Sequence, residues 1–319
     1  MAQPLFRQSA LCHNPAMVQD RPIIGILLML GFCVAAPLAD AFAKLIGTAA
    51  PLAMVVAVRY VIQAALLLPL TRALSLSLAV PHGLWPLVVL RTALHVAGIT
   101  VMFLALRYLP LADAIAIAYV MPFLVLLLGW VFLGETVGYR RLLACIVGFA
   151  GTLLVLQPSF RDVGAAALLP LAVAVIFALF MLSTRRIARA IGPLEMQAVN
   201  GVLGSLMLLP VLVAGALLGL PELSPAWPDA GVWPLLLLIG VLGTVAHLML
   251  TWALRLAPAA TLAPMQYLEI PVAVILGLAI FGEFPGGHAL AGIAVVMAAG
   301  LYIIVREQAQ ARAAQPATP

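Results

Sequence analysis

The sequence predicts an all-α membrane protein in which ten transmembrane helices form two inverted five-helix repeats. Three observations carry this expectation. The chain of 319 residues is 65% hydrophobic and only 8% charged. It divides into apolar runs of membrane-crossing length. Part of its first half recurs in its second half at one fixed offset.

Composition decides the solvent. A soluble domain carries roughly 25% charged residues, and with so few here water cannot be the main solvent of the surface. Lipid must be. The net charge of +5 is too small and too scattered for nucleic-acid binding. It reads as loop charge that sets orientation in a membrane. The three cysteines, Cys12, Cys33 and Cys145, include no CxxC pair, and two of them fall in apolar stretches. Neither a disulfide framework nor a zinc site is expected.

A membrane span needs about 20 apolar residues. Apolar runs and their breakers place spans at 22–43, 50–70, 86–106, 111–132, 140–157, 166–184, 194–219, 232–253, 259–281 and 288–305. Pro81, Pro86, Pro110, Pro158, Pro221, Pro225, Pro228, Pro234 and Pro258 sit at or near the expected starts and stops, where a missing N–H is tolerated. The chain thus reads as an N-terminal tail 1–21, a first repeat 22–158, a second repeat 166–305 and a C-terminal tail 306–319. Ala39-Asp40-Ala41 has the form of a signal-peptidase site, but the apolar run before it is too long for a leader, and the first span is expected to be retained.

Basic residues orient the scheme. With a cytoplasmic N-terminus, the inner segments hold Arg7, Arg21, Arg72, Arg140, Arg141, Arg185, Arg186, Arg189, Arg255, Arg306 and Arg312, and the outer ones only Lys44, Arg107 and Arg161. This bias follows the positive-inside rule and puts both termini in the cytoplasm of a cell with this inner membrane. The short connections leave no room for a soluble domain, so the helix bundle itself must carry the function.

Residues 83–135 align without a gap on 231–283. GLWPL meets GVWPL, Arg107 meets Arg255, Pro110 meets Pro258, Tyr119 meets Tyr267 and Gly134-Glu135 meets Gly282-Glu283. Matching Trp, Pro, Arg, Tyr and Glu at one offset is a specific repeat signal. Five spans per unit is odd, so the second copy enters the membrane upside down. Such inverted pairs suit alternating access.

The string ADAFAKLIG (39–47), Arg59 after a Pro51-containing loop, Arg91 opening the third span, and the run from FLALRYLPLADA to LVLQP (103–158) resemble the drug/metabolite transporter superfamily, EamA type. The resemblance spans about 22–305. It implies a ten-helix exporter or exchanger for a small metabolite, with an anionic or zwitterionic group on the solute as one reading of the buried arginines. The resemblance implies a small-molecule substrate and the lipid bilayer as partners, no nucleic acid and no cofactor; oligomeric state stays open, a homodimer included. The rival is a membrane-embedded lipid-modifying or hydrolytic enzyme. No HExxH, GxSxG or paired metal-ligand spacing supports it, and no P-loop supports ATP-driven pumping.

Ionisable groups inside spans cost at least ~2.5–3.5 kcal/mol each and are therefore the candidates for function. Arg59, near the middle of the second span, either pairs with an acidic group on the solute or neutralises an internal acid such as Glu269. Arg91 and His95 share a face of the third span; Arg91 is close enough to the inner end to snorkel. Asp40 and Lys44, four apart, read either as a local salt bridge or as an outer gate. Glu269 lies near the centre of the ninth span, beside Pro271, and Met121-Pro122 occupies nearly the same place in the fourth. Interrupted helices in corresponding halves point to a binding site, which Tyr119, Gln266 and Tyr267 are expected to line. His247 is mid-span in the eighth helix. Asn200 is read as tying neighbouring helices together, Asp113 as capping or lying just inside the fourth helix, Glu135 and Glu283 as solvated or paired with loop cations, and Gly148 and Gly151 as points of close packing.

Overall fold

A computed structural model describes residues 22–121, 123, 124, 127, 128, 139–187, 190–256 and 265–313. Every regular element among them is helical. The helices are α1 (Pro22–Ile46), α2 (Leu52–Ala73), α3 (Trp85–Ala105), α4 (Leu111–Ala118), α5 (Tyr139–Val163), α6 (Leu169–Ile187), α7 (Pro193–Leu218), α8 (Val232–Leu256), α9 (Glu269–Leu276) and α10 (Gly287–Ala313). Lipid has no water to satisfy bare amides, so a spanning chain must close its hydrogen bonds within each segment. Pro86 in the first turn of α3 and Pro193 at the start of α7 sit where a missing N–H costs nothing.

Six stretches are apolar and long enough to cross a membrane: Ile23–Ile46, Leu52–Ala73, His82–Ala105, Leu142–Thr184, Pro193–Leu218 and Val232–Ala253. The fourth, of 43 residues, exceeds what one crossing of a ~30 Å core needs. It divides at Gly164, whose φ of +64° only glycine adopts without strain. The chain is a multi-pass membrane protein. Its outer surface bears the expected lipid-facing residues, among them Leu143, Ile146 and Val147 on α5.

The proline readings need one correction. Pro158 does not end the fifth helix: α5 continues past it to Val163. A proline whose freed carbonyl is within reach of neighbouring helices is tolerated in a membrane helix. Pro122 and Pro258 lie outside the described residues.

The largest helix interfaces join α1 to α8, α5 to α10, α2 to α7 and α3 to α6, and α4 packs on α9. Each joins the first half of the chain to the second. The core is therefore shared between halves. At α5–α10 the contact is backbone against backbone: a Cβ on Gly292 would lie 2.6 Å from the Gly151 carbonyl oxygen. Gln63 on α2 donates to the Gln197 carbonyl of α7 at 2.8 Å, a polar link inside the same core.

Candidate functional site

A cavity lies between the halves. Phe32, Phe103, Tyr119, Phe177 and Phe180 contribute to its wall, with aliphatic residues between them. The polar side chains on the wall are Asp40 (α1), Arg59 (α2), His247 (α8), Tyr119, Gln266 and Glu269. Six of the ten sequence candidates thus meet around one space, although they come from distant parts of the chain.

Arg59 is 2% exposed. Its Nη1 has no hydrogen-bond partner, and among the described residues it forms no ion pair with Glu269. The internal bridge to Glu269, one of the two expected readings, is not formed. The Arg59 guanidinium lies over the Tyr60 ring at 5.4 Å, and its Nη2 lies 3.3 Å from His247 Nδ1. That nitrogen also lies 2.9 Å from the Gly243 carbonyl oxygen. A carbonyl only accepts, so His247 Nδ1 must carry the proton and has no lone pair left for Arg59. His247 Nε2 is then an acceptor and receives His95 Nε2–H at 3.0 Å. His95 Nδ1 in turn accepts from Tyr60 Oη at 2.9 Å and from the Asn200 amide at 3.0 Å. This chain satisfies both imidazoles in their neutral forms and leaves Arg59 Nη1 without a hydrogen-bond partner; Asp40, on the same wall, offsets the charge without a direct ion pair.

Arg91 does not snorkel. It is 1% exposed, donates to Thr184 Oγ1 at 3.0 Å and Asn200 Oδ1 at 3.2 Å, and lies over the Phe180 ring at 4.7 Å. Its planar fork and π-stacking surface are better used inside than in water. Neither Arg91 nor His95 lines the cavity; both stand behind the Phe180 wall. Asn200 ties α7 to α3, as its position in the chain implies.

Asp40 and Lys44 do not pair. Lys44 Nζ instead contacts Glu283 at 2.8 Å and donates to the Leu109 carbonyl at 2.7 Å. Asp40 is left without a hydrogen bond or ion pair among the described residues and faces the cavity. The i,i+4 spacing permits a local bridge, but a partner that also completes a capping network wins: Glu283 accepts from the Leu111 N–H at the start of α4. Glu283 is thus paired with one of the outer-segment cations, Lys44, and its side chain stays partly exposed. Arg107 forms a second ion pair, to Glu222 at 2.8 Å, and also donates to the Ala50 carbonyl. Both ion pairs converge on the α3–α4 connection.

Hydrogen bonding from Arg107 holds the Glu222 carboxyl below the usual glutamate range. A depressed carboxylate keeps its contribution above its unfolded pKa and loses it as pH falls through the folded value. The Arg107–Glu222 link should hold from about pH 5 to 8 and open only below about pH 4. The labelling rate of Ala36→Cys in the cavity wall, in a background without the three native cysteines and divided at each pH by that of a free thiol so that the loss of thiolate cancels, should stay flat over the first range and rise below the second; a rise already near pH 6 would contradict this assignment.

Glu269 is not in the middle of a continuous helix. The chain turns at Tyr267-Leu268, and α9 starts at Glu269, which places Pro271 in the first turn. The α4 helix likewise ends at Ala118, with a turn at Tyr119-Val120. The two breaks occupy equivalent places in the aligned segments. Their tyrosines meet, ring centroids 5.4 Å apart. Tyr119 Oη lies 2.8 Å from the Gln266 carbonyl oxygen and hydrogen-bonds Glu269. Tyr267 does not line the cavity; its ring packs against Gly300 of α10. Asp113 lies inside the first turn of α4 and accepts from Ser159 at 3.2 Å rather than capping the helix. Glu135 lies outside the described residues.

The EamA-like transporter family model matches residues 23–157 and 164–306. This chain belongs to that family. A riboflavin transporter of Brucella anthropi is 32% identical over 80% of this chain and 89% of its own length. One from Vibrio cholerae is 28% identical over 92% and 97%. An S-adenosylmethionine uptake transporter of Rickettsia prowazekii is 25% identical over 89% and 93%. A crystal structure with 21% identity superposes at TM-score 0.60, covering 88% of this chain and 96% of that one; it shares the fold. The family and its relatives make the protein a small-metabolite secondary transporter and set aside the enzyme alternative.

In this EamA-family transporter, Gly243 is a site residue that its sequence does not advertise. A Cβ there would sit 2.6 Å from Arg59 Nε and 2.9 Å from Nη2. Gly243→Ala should push the guanidinium off its seat and lower the initial transport rate by about tenfold, the effect of ~1.4 kcal/mol. Initial rates in proteoliposomes would show it; a parental rate would mean that Arg59 tolerates displacement. Tyr60 and the phenylalanines of the wall also escape sequence reasoning, because apolar residues in so apolar a chain carry no distinguishing signal.

Proposed function

We propose that this transporter moves a flat heteroaromatic metabolite of the riboflavin kind across the cytoplasmic membrane by alternating access. The observation that carries the reading is the cavity between the halves: aromatic walls, and among them a buried guanidinium whose Nη1 has no hydrogen-bond partner. Aromatic faces favour planar rings, and a buried cation without a partner favours a ligand that brings an acceptor or an anion. Relatives that transport riboflavin, together with one for S-adenosylmethionine, which also contains a planar heterocycle, support the same class. Within this reading Asp40, Arg59, Tyr119, His247, Gln266 and Glu269 face the solute, Arg91 and His95 back the wall, and Lys44 gates one end.

The transport unit is two inverted five-helix repeats, 22–158 and 166–305, flanked by cytoplasmic tails. The interfaces support this arrangement. They pair first with eighth, second with seventh and third with sixth helices, and fourth and fifth with their own counterparts, the exchange expected of a twofold axis in the membrane plane. The arginine bias supports cytoplasmic termini in an inner membrane. Labelling of Tyr139→Cys by an impermeant reagent from outside intact cells would reverse the orientation.

The test of substrate class is uptake of labelled riboflavin by proteoliposomes containing the purified transporter. Saturable uptake above that of empty liposomes is the expected result. Its absence, with saturable uptake of S-adenosylmethionine instead, would keep a planar heterocycle in the substrate but overturn the riboflavin kind.

A further inference from the structure

With its expected partner Lys44 held by Glu283, Asp40 is free to act on what enters the cavity. It lies six residues before the end of α1, and Arg59 lies seven residues after the start of the following helix, α2. At 1.5 Å per residue they stand about 9 and 10.5 Å below the same end of the bundle. Both line the same cavity. The other charged or titratable wall groups already have partners: His247 is held by Gly243 and His95, and Glu269 by Tyr119. A carboxyl whose oxygens can accept and a guanidinium that only donates are therefore left at one level between aromatic walls, drawn to each other's charge but without a direct ion pair.

We propose that Asp40 and Arg59 form a two-pole clamp that reads a ring edge on which an N–H adjoins a carbonyl. Asp40 accepts from the N–H, and Arg59 Nη1, which has no protein partner, donates to the carbonyl. The clamp rests on the heteroaromatic reading above and sharpens it to rings with an imide or lactam edge. A small zwitterion would meet the same two charges but would leave the aromatic walls uncovered. A ring fills the space between the walls and presents its polar edge to the clamp. A site built to hydrogen-bond a particular N–H strongly rejects an analogue that lacks it, because the site's own polar group is then stranded.

Equilibrium binding to the full-length protein in lipid nanodiscs tests this, with tritiated riboflavin as the probe. Unlabelled riboflavin and 3-methylriboflavin, in which a methyl replaces the N–H between two carbonyls, serve as competitors. The wild type should bind riboflavin at least about tenfold more tightly than the methylated form. Asp40→Ala should bring the two within about twofold, chiefly through weaker riboflavin binding. Arg59→Ala should weaken both while keeping the preference. Size-exclusion profiles and melting temperatures confirm that each variant is folded, and Asp40→Asn, which keeps an acceptor oxygen, should retain part of the preference. Equal affinity of the wild type for both compounds, or a preference undiminished in folded Asp40→Ala, overturns the clamp but leaves the heteroaromatic reading in place. No binding of riboflavin by the wild type overturns both.

Discussion

Arg59→Ala should reduce transport by roughly 10- to 100-fold while leaving the protein at least as heat-stable as the parent. The two halves of this expectation have one cause. Arg59 is a buried cation whose Nη1 has no hydrogen-bond partner and to which His247 Nδ1 offers no lone pair. Such a group burdens the empty bundle and is retained because the solute completes it. A hydrogen bond to a charged group contributes about 1.5–3 kcal/mol, which sets the loss of transport. Removing the charge relieves the empty state, the usual exchange of stability for function at a binding site. Arg59→Lys keeps the charge but loses the planar fork and should fall between the two. Proteoliposome uptake and thermal melting, read together, decide the matter. Lost transport with a markedly lowered melting point would identify a structural arginine.

Lys44→Glu should produce the second large effect, on which end of the cavity is open. Lys44 joins the end of α1 to Glu283 in the α9–α10 connection and to the Leu109 carbonyl in the α3–α4 connection. Reversing its charge places two carboxylates together and removes a donor from Leu109. Under alternating access, this should shift the resting population toward the state open at that end by about tenfold or more, since each 1.4 kcal/mol is worth a factor of ten. Lys44→Arg should shift it little. Ala36→Cys in the cavity wall is the reporter: its labelling by an impermeant thiol reagent should quicken in Lys44→Glu. Unchanged labelling would show that Lys44 does not hold that end closed.

Much of the fold is legible from chemistry that membranes impose. Apolar runs, terminal prolines and the recurrence of Tyr119, Pro110 and Arg107 at one offset place the start of each described helix but α9 within a few residues. Pro158 misleads because sequence alone does not show that neighbouring helices will tolerate the amide it lacks. The cavity is legible through its charges. Arg59, Glu269 and Asp40 stand out because lipid penalises them, and they do line one space. What they touch is another matter. The spacing of Asp40 and Lys44 describes only one helix, whereas Glu283, far along the chain, offers Lys44 a capped and better-satisfied position. Arg91 looks free to snorkel until Thr184 and Asn200 are placed beside it. Gly243 and the phenylalanine walls have no sequence signature at all, since their roles depend on shape.

The interleaving of the halves also bears on how the chain is made. Helices leave the ribosome in order, yet each large interface of the finished bundle joins an early helix to a late one. When α3 is first inserted, Arg91 has neither Thr184 nor Asn200, and Gln63 of α2 has no Gln197 to receive its amide. Those groups must wait at the membrane surface, against lipid headgroups or held by the insertion machinery, until α6 and α7 arrive. Assembly is therefore a late, concerted closing of a nearly complete chain, and the buried polar side chains that tie the two halves together are also what the nascent protein must shelter longest.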